Sequence, residues 1–410
     1  MKLMDPQYKK KLESLGFHFG IQSRIDASIN RPESRTIEDL PGIKRENSLG
    51  EFFYQEMSYL QDYNHGIVTF QGLTEKTTPI NLPDKKTSTN IIDCVFLDTE
   101  TTGLAQSGGT FAFMIGVGYF KETQFHLRQY FLIEPSQEDA MLLDLLNLIE
   151  PFSTIVSYNG ISFDVPIIKS RLRYHRLPSD IHKKDHIDLL KYARMLFRFQ
   201  FNDRSLKNME FNVLKFFRSE EEIPGYLAPV IYKEYLENKK IEKIEGVFYH
   251  NAMDIISLAA FISIVNEISS QNNVYYDKYE TLNFSIAKQY EKNKVFEKAL
   301  ETYEISAKQT NLSDDIKINC FLSLARIYKK QNQIDLAICN WYKATKHNNL
   351  EAHIELAKVY EHNLKNYTLA IEFCQKALSI LENEIESISN KRLIEACKHR
   401  LNRLLVKANL

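Results

Sequence analysis

The sequence predicts an α/β domain with a mixed sheet, followed by an all-α repeat region, on three observations. A mostly apolar, β-branched run from Ile91 to Leu97 ends in Asp98-Thr99-Glu100, as a central strand buried on both faces would. From residue 91 to 268, strand-like runs alternate with helix-period segments, which points to a sheet with helices on both faces. From about residue 282 the chain turns wholly helical and repeats.

Residues 1–45 are polar, with Pro32 and Pro41, and predict only a short helix at 6–15. Gly50 to Phe53 and Gly66 to Phe70 read as short strands before a loop around Pro83-Asp84, so residues 1–88 are expected to form an extension packed on the next domain. Phe113 to Phe120 and Phe125 to Ile133 are two further strands, expected to run antiparallel with the first. Met141, Leu142, Leu145 and Leu148 give helical spacing over 138–149. Thr154 to Tyr158 is a strand ending in Asn159-Gly160, and Pro166 sits in the first turn of the helix that follows. The α/β unit is assigned residues 89–272.

In the last third, Ala287, Tyr290, Ala299 and Tyr303 recur as Ala325, Tyr328, Ala337 and Trp341, and again as Ala357, Tyr360, Ala370 and Cys374. Small residues at this spacing let paired helices approach closely, the pattern of a tetratricopeptide-like repeat. Residues 280–410 are expected to hold three imperfect copies, with a helix at 391–407 as the cap. An ordinary helical bundle is the alternative.

The 410 residues carry 52 Lys plus Arg against 53 Asp plus Glu. A net charge of −1 excludes a generally basic nucleic-acid coat, so an anionic partner must meet local patches. Five cysteines without a CxxC pair fit a reducing compartment and argue against structural zinc. Neither a secretory h-region nor 18 uninterrupted apolar residues occurs, so the expected location is cytoplasmic, with no membrane partner.

Period-2 geometry places Asp98 and Glu100 on one side of the pleat. Two like charges side by side are costly unless they lie at an exposed strand tip or hold a cation. Asp164 follows a strand at a helix N-terminus, where it can cap or ligate. Asp254 sits on an apolar helix, one turn after His250. Four carboxylates with a nearby imidazole match what a two-metal phosphodiesterase needs: hard oxygen ligands for Mg²⁺ or Mn²⁺ and a base for an attacking water.

FLDTETTGL, YNGISFD and HNAMD, in this order, resemble the three motifs of the DEDD group of 3′→5′ exonucleases, which have a ribonuclease H-like fold. The likeness is closer still to the YprB-type ribonuclease H-like domain, supported by SGGTFAFMIGVGYF, HIDLLKYARMLF, SLKNMEF and IPGYLAPVIYKEYL. The resemblance implies that Asp98, Glu100, Asp164 and Asp254 ligate two Mg²⁺ or Mn²⁺ ions. By the same resemblance, the turn Thr102-Gly103-Leu104 would meet the terminal nucleotide. The family places its base either as His five residues before the last aspartate or as Tyr four before it. Here the types are exchanged, with Tyr249 five before and His250 four before. One helical turn favours His250, and Tyr249 is the rival.

Asn159 is either a phosphate-orienting amide or a turn residue before Gly160. Asp188 is either a supporting acid or a cap. Between Pro166 and Arg218 stand 13 Lys plus Arg against 5 Asp plus Glu, interleaved with aromatics. Phosphate contacts from Arg171, Arg173, Arg194 or Arg198 would suit a single strand, although such residues also make an ordinary solvated face. The basic last helix reads either as a further nucleic-acid contact or as a soluble cap.

Together these features predict a metal-dependent nuclease on DNA or RNA, with the helical repeats recruiting a protein or peptide. A non-catalytic adaptor with a degenerate nuclease domain and a structure-specific endonuclease are the alternatives.

Overall fold

A computed structural model describes residues 35–73, 79–84, 88–103, 109–219, 222–270, 273–383 and 388–409. The short helix expected at 6–15 and Leu104 lie outside the described residues. The apolar run after residue 90 forms the strand β3 of a seven-stranded sheet. Its members are β1 (Gly42–Asn47), β2 (Gly50–Leu60), β3 (Cys94–Thr101), β4 (Ala112–Lys121), β5 (Gln124–Phe131), β6 (Thr154–Ser157) and β7 (Asp185–Asp188), in the order β1-β2-β5-β4-β3-β6-β7. Pairing is antiparallel from β1 through β3, and parallel from β3 to β6 and β7. β3 is thus the strand at which the sheet changes from antiparallel to parallel. Residues 42–60, placed by sequence in an N-terminal extension, supply two strands of this same sheet.

Alternation along β3 sends Cys94 and Phe96 into one apolar cluster and Val95 and Leu97 into another, as a strand covered on both faces must. The covering helices are α1 (Glu138–Ile149), α2 (Asp164–Tyr174), α3 (Leu189–Phe197), α4 (Leu206–Met209), α5 (Ala228–Asn238) and α6 (Ile244–Ser269). A π-turn, Glu210–Leu214, continues α4. α6 is long and apolar enough to cross a membrane by length and composition, but 78% of its apolar window is buried inside this protein.

Its approach to the sheet depends on two glycines of β4. A Cβ at Gly116 would stand 2.4 Å from Asn251 Oδ1 and 2.8 Å from Ile255 Cγ1, and one at Gly118 would stand 2.5 Å from Ile255 Cγ2. Gly116 is the cross-strand partner of Asp98, so the missing side chain lets α6 lie directly over the acidic end of β3. Gly116→Ala is therefore expected to lift α6. A cost of about 1–3 kcal/mol, usual for overpacking, should appear as a lower midpoint in urea unfolding.

The helical region continues as α7 (Asn273–Lys278), α8 (Leu282–Lys292), α9 (Phe296–Lys308), α10 (Asp314–Lys330), α11 (Ile334–Thr345), α12 (Leu350–His362), α13 (Tyr367–Glu382) and α14 (Ile388–Lys407). From α8 onward each helix packs on the next, and the repeated alanines Ala287, Ala299, Ala325, Ala337, Ala357 and Ala370 are buried at these contacts. The stack starts on the sheet domain itself, because Tyr275, Tyr279, Leu282 and Ile286 share one apolar cluster with α3 and α6.

Three cations of the basic last helix, Arg400, Arg403 and Lys407, converge on Glu361, fully buried on α12. Arg403 Nε and Lys407 Nζ each lie 2.8 Å from its Oε1, and Arg400 bonds its Oε2. Burial pushes this carboxyl up, but hydrogen bonds from Arg403 and Lys407 outweigh it and hold the group down at about 2. A depressed carboxyl contributes stability above its ordinary value of 4.5 and loses it as pH falls toward 2. Glu361→Gln should raise amide exchange in α14 at neutral pH and abolish its acid dependence. The loss should be about 2–3 kcal/mol, below the full ion-pair value because Arg403 and Lys407 are each 38% exposed.

Candidate active site

The site forms where the C-terminal end of β3 meets α2 and α6. A register shift between Glu100 and Thr101 is the kind of bulge that re-aims side chains at a strand end. Asp98 and Glu100 share one side of the pleat, and α6 delivers its polar residues to them. Asn251 Nδ2 donates to Asp98 Oδ2 at 2.9 Å. His250 Nε2 lies 3.8 Å from Glu100 Oε1 and 3.6 Å from Asp254 Oδ2, so the imidazole bridges the late helix and the strand end. Asp164, at the start of α2, accepts from the Thr99 hydroxyl at 2.5 Å. The four predicted carboxylates and His250 are therefore brought together.

Their electrostatics are those of crowded anions. Burial, then the charges of Asp254, Asp164 and Glu100, push Asp98 well above the carboxylate range. Burial also raises Glu100 to about 8, with His250 opposing and Asp254 and Asp164 adding to the rise. Asp164 is raised to about 6, mainly by burial against the hydrogen bond from Thr99. Such a cluster is stable when a cation shares it. All four donors are carboxylate oxygens, the set that Mg²⁺ or Mn²⁺ prefers, and this donor chemistry fits the metal expected from the sequence. Among the described residues no three His, Cys, Asp or Glu side chains stand at ligand spacing around one point.

A protein cation attends the cluster instead. Arg218, 4% exposed, bonds Asp254 Oδ1 through Nη2 and Glu210 through Nε at 2.7 Å. Its Nη1 reaches Glu222 Oε1 at 2.8 Å. Glu210, 1% exposed, also accepts from Ser257, which stands 2.7 Å from His65 Nε2. Glu222 Oε1 lies 3.1 Å from His250 Nδ1. Burial lowers the His250 imidazole, but Asp254, the Glu222 hydrogen bond and Glu100 prevail and raise it. In front of Nε2, a Cβ at Gly225 would come within 2.8 Å. That glycine, from the IPGYL segment, lets the backbone pass beside the ring where a side chain would collide with it.

Sequence reasoning missed Arg218, Glu210 and Glu222 as members of the site. It also missed a buried relay to Asp98, in which Gln55 donates to Gln129 at 2.7 Å, Gln129 to Asn251 Oδ1 at 2.9 Å, and Asn251 to Asp98. Polar residues at alternating strand positions between apolar ones were the available signal.

The remaining predicted residues are placed as follows. Tyr249 is half-buried against the apolar cluster that holds Phe96, and the imidazole of His250 is the ring within 4 Å of Glu100 and Asp254. Thr102 is tied to Phe111, its N–H donating to the carbonyl at 3.0 Å. Among the described residues, a Cβ at Gly103 would meet Thr110 Oγ1 at an ordinary 3.7 Å. Asn159 adopts φ 65° and its N–H donates to Asp188 Oδ1 at 2.8 Å; it is the left-handed residue of the turn. Asp188 pins that turn and caps α3 through the Leu190 N–H. Arg171, expected at a phosphate, is held in an ion pair. Its Nε donates to Glu138 at 2.7 Å, its other arm bonds the same carboxylate, and its guanidinium lies 4.4 Å from the Tyr174 ring centre. Two of its three nitrogens are thus committed to a carboxylate that is 3% exposed.

Comparison with known proteins agrees with this geometry. Residues 95–266 match the model of the RNase H superfamily, a span that begins in β3, ends in α6 and contains every site carboxylate. The uncharacterized protein YprB of Bacillus subtilis (strain 168) is 28% identical, over 93% of this chain and 96% of the relative.

Proposed function

We propose that this ribonuclease H-superfamily domain hydrolyses phosphodiester bonds as a 3′→5′ exonuclease on single-stranded or frayed DNA or RNA. The observation that carries the reading is His250, set between Glu100 of the strand end and Asp254 of the late helix. Asp98, Glu100, Asp164 and Asp254 would hold two Mg²⁺ or Mn²⁺ ions. When bound, these supply Lewis-acid activation of water and of the phosphate.

The chain's own groups complete the site. Arg218 Nη1 and Glu222 Oε1 each lie 3.1 Å from His250 Nδ1; with Nδ1–H directed at the Glu222 carboxylate, His250 would present a lone pair at Nε2 and take the proton of the attacking water there. Asn251 fixes the Asp98 carboxylate, and Thr99 fixes that of Asp164. The Gly103 backbone lies three residues beyond Glu100, where the terminal nucleotide would approach.

Incubation of 5′-labelled linear, 3′-blocked and circular single strands with Mn²⁺ tests the reading. Progressive shortening from a free 3′ end is expected, with blocked and circular strands resistant. Equal cleavage of the circles would establish an endonuclease instead.

A further inference from the structure

A second constellation lies away from the carboxylates, where α3 of the sheet domain meets α8 and α10 of the helical stack. The cleft there measures about 1010 Å³. Lys191, Arg194, Met195 and Arg198 line one wall, at the i, i+3, i+4, i+7 spacing of a single helix face. Ser285, Lys288, Gln289 and Lys292 line the opposite wall at the same spacing. Arg204 and Arg326 also line it, and Glu291 is the single acid.

Lys191 is held by Asp84, and Arg326 lies 3.3 Å from Glu291. Arg194, Arg198, Arg204, Lys288 and Lys292 have no carboxylate within ion-pair distance among the described residues. Like charges that face one another without counter-charge repel. Two buried polar atoms of residues that line the cleft, Ser285 Oγ and Arg204 Nε, have no hydrogen-bond partner among the described residues, and Ser285 is only 2% exposed. Beside them, Phe199 is 40% exposed, lies under Arg198 at 5.8 Å and meets the Phe284 ring edge-on at 4.8 Å. Cations in two rows and an aromatic face suit a chain of phosphates carrying stackable bases.

We propose that this interdomain cleft binds the backbone of a single-stranded nucleic acid, so that the first helices of the repeat stack act as a substrate-holding arm. The cleft also abuts the catalytic sheet. Tyr158, at the end of β6, donates its hydroxyl to the Arg204 carbonyl, and the next residues form the turn that leads to Asp164. The inference rests on the nuclease reading for its substrate class.

The test uses the full chain in EDTA, with a labelled single-stranded oligonucleotide followed by anisotropy across a salt series. The variants are Arg194→Gln/Arg198→Gln on one wall and Lys288→Gln/Lys292→Gln on the other. Each pair should weaken binding roughly tenfold and reduce the log–log salt slope by about 1.4, the value for two lost phosphate contacts on a single strand. Hydrolysis of a dinucleotide with Mn²⁺, too short to reach the cleft, should match the parent.

Unchanged affinity and slope in both pairs would overturn the cleft while leaving nuclease activity standing. Competition by polyglutamate as effective as by oligonucleotide at equal charge would also overturn it, in favour of an acidic polypeptide. Loss of binding in both pairs, with a parent that binds but never hydrolyses, would support the cleft and refute the nuclease reading.

Discussion

Asp98→Asn lowers metal-dependent hydrolysis by at least about 10³-fold, equivalent to about 4 kcal/mol of transition-state stabilisation, and Asp254→Asn does the same. These substitutions keep the side-chain volume and remove one negative charge each from the proposed metal site. The fold should survive, because the Asp98 carboxyl is crowded by Asp254, Asp164 and Glu100, which disfavour its charged form. Exchange for a neutral amide relieves repulsion, so the metal-free melting temperature should hold or rise. Mn²⁺ should then raise the melting temperature of the parent and fail to do so in either variant, since a ligand stabilises only the state that binds it. Turnover at the parental rate in Asp98→Asn would remove the carboxylates from the mechanism. An inactive variant that had also unfolded would separate itself through the melting curve.

The second large effect concerns Arg218. Arg218→Met should destabilise the protein by about 3–5 kcal/mol, because Glu210 is left as a buried charge without its cation. For a domain of this size that corresponds to a fall in melting temperature of roughly 6–20 °C. Arg218→Lys should recover only part of the loss. An ammonium cannot reproduce the fork that spans Glu210, Glu222 and Asp254. The double variant Arg218→Met/Glu210→Leu should regain most of it, since removing both partners of a buried pair is far milder than removing one. A single Arg218→Met variant that melts with the parent would show the pair to be dispensable.

The acids were legible because each stands at a place local rules identify: a strand end at period two, a helix start, and one helical turn from a histidine. The helix Glu138–Ile149 followed from apolar spacing, and β3, β4 and β5 run antiparallel as expected of three strands with short connections. What the pattern hid were pairings between distant segments. Arg218 counted toward a basic stretch, yet its partners lie 8 and 36 residues away, on a π-turn and on α6. Arg171 was read as free for the same reason, since Glu138 is 33 residues upstream. Charge along a chain shows how many cations there are, and only packing shows which are already neutralised. The strands β1 and β2 were legible as strands, but nothing local specified that they would join the same sheet as Asp98. The cleft between α3 and α8 was half visible in Arg194 and Arg198. Its other wall comes from a region whose pattern spoke only of helix pairing.

Convergence of four carboxylates into one cation-holding pocket is the central claim, and anomalous diffraction from crystals grown with Mn²⁺ tests it most directly. Two manganese peaks should appear, ligated by Asp98, Glu100, Asp164 and Asp254, with the Arg218 guanidinium displaced from Asp254. Manganese absent from these side chains at saturating concentration, with Arg218 still bound to Asp254, would contradict it.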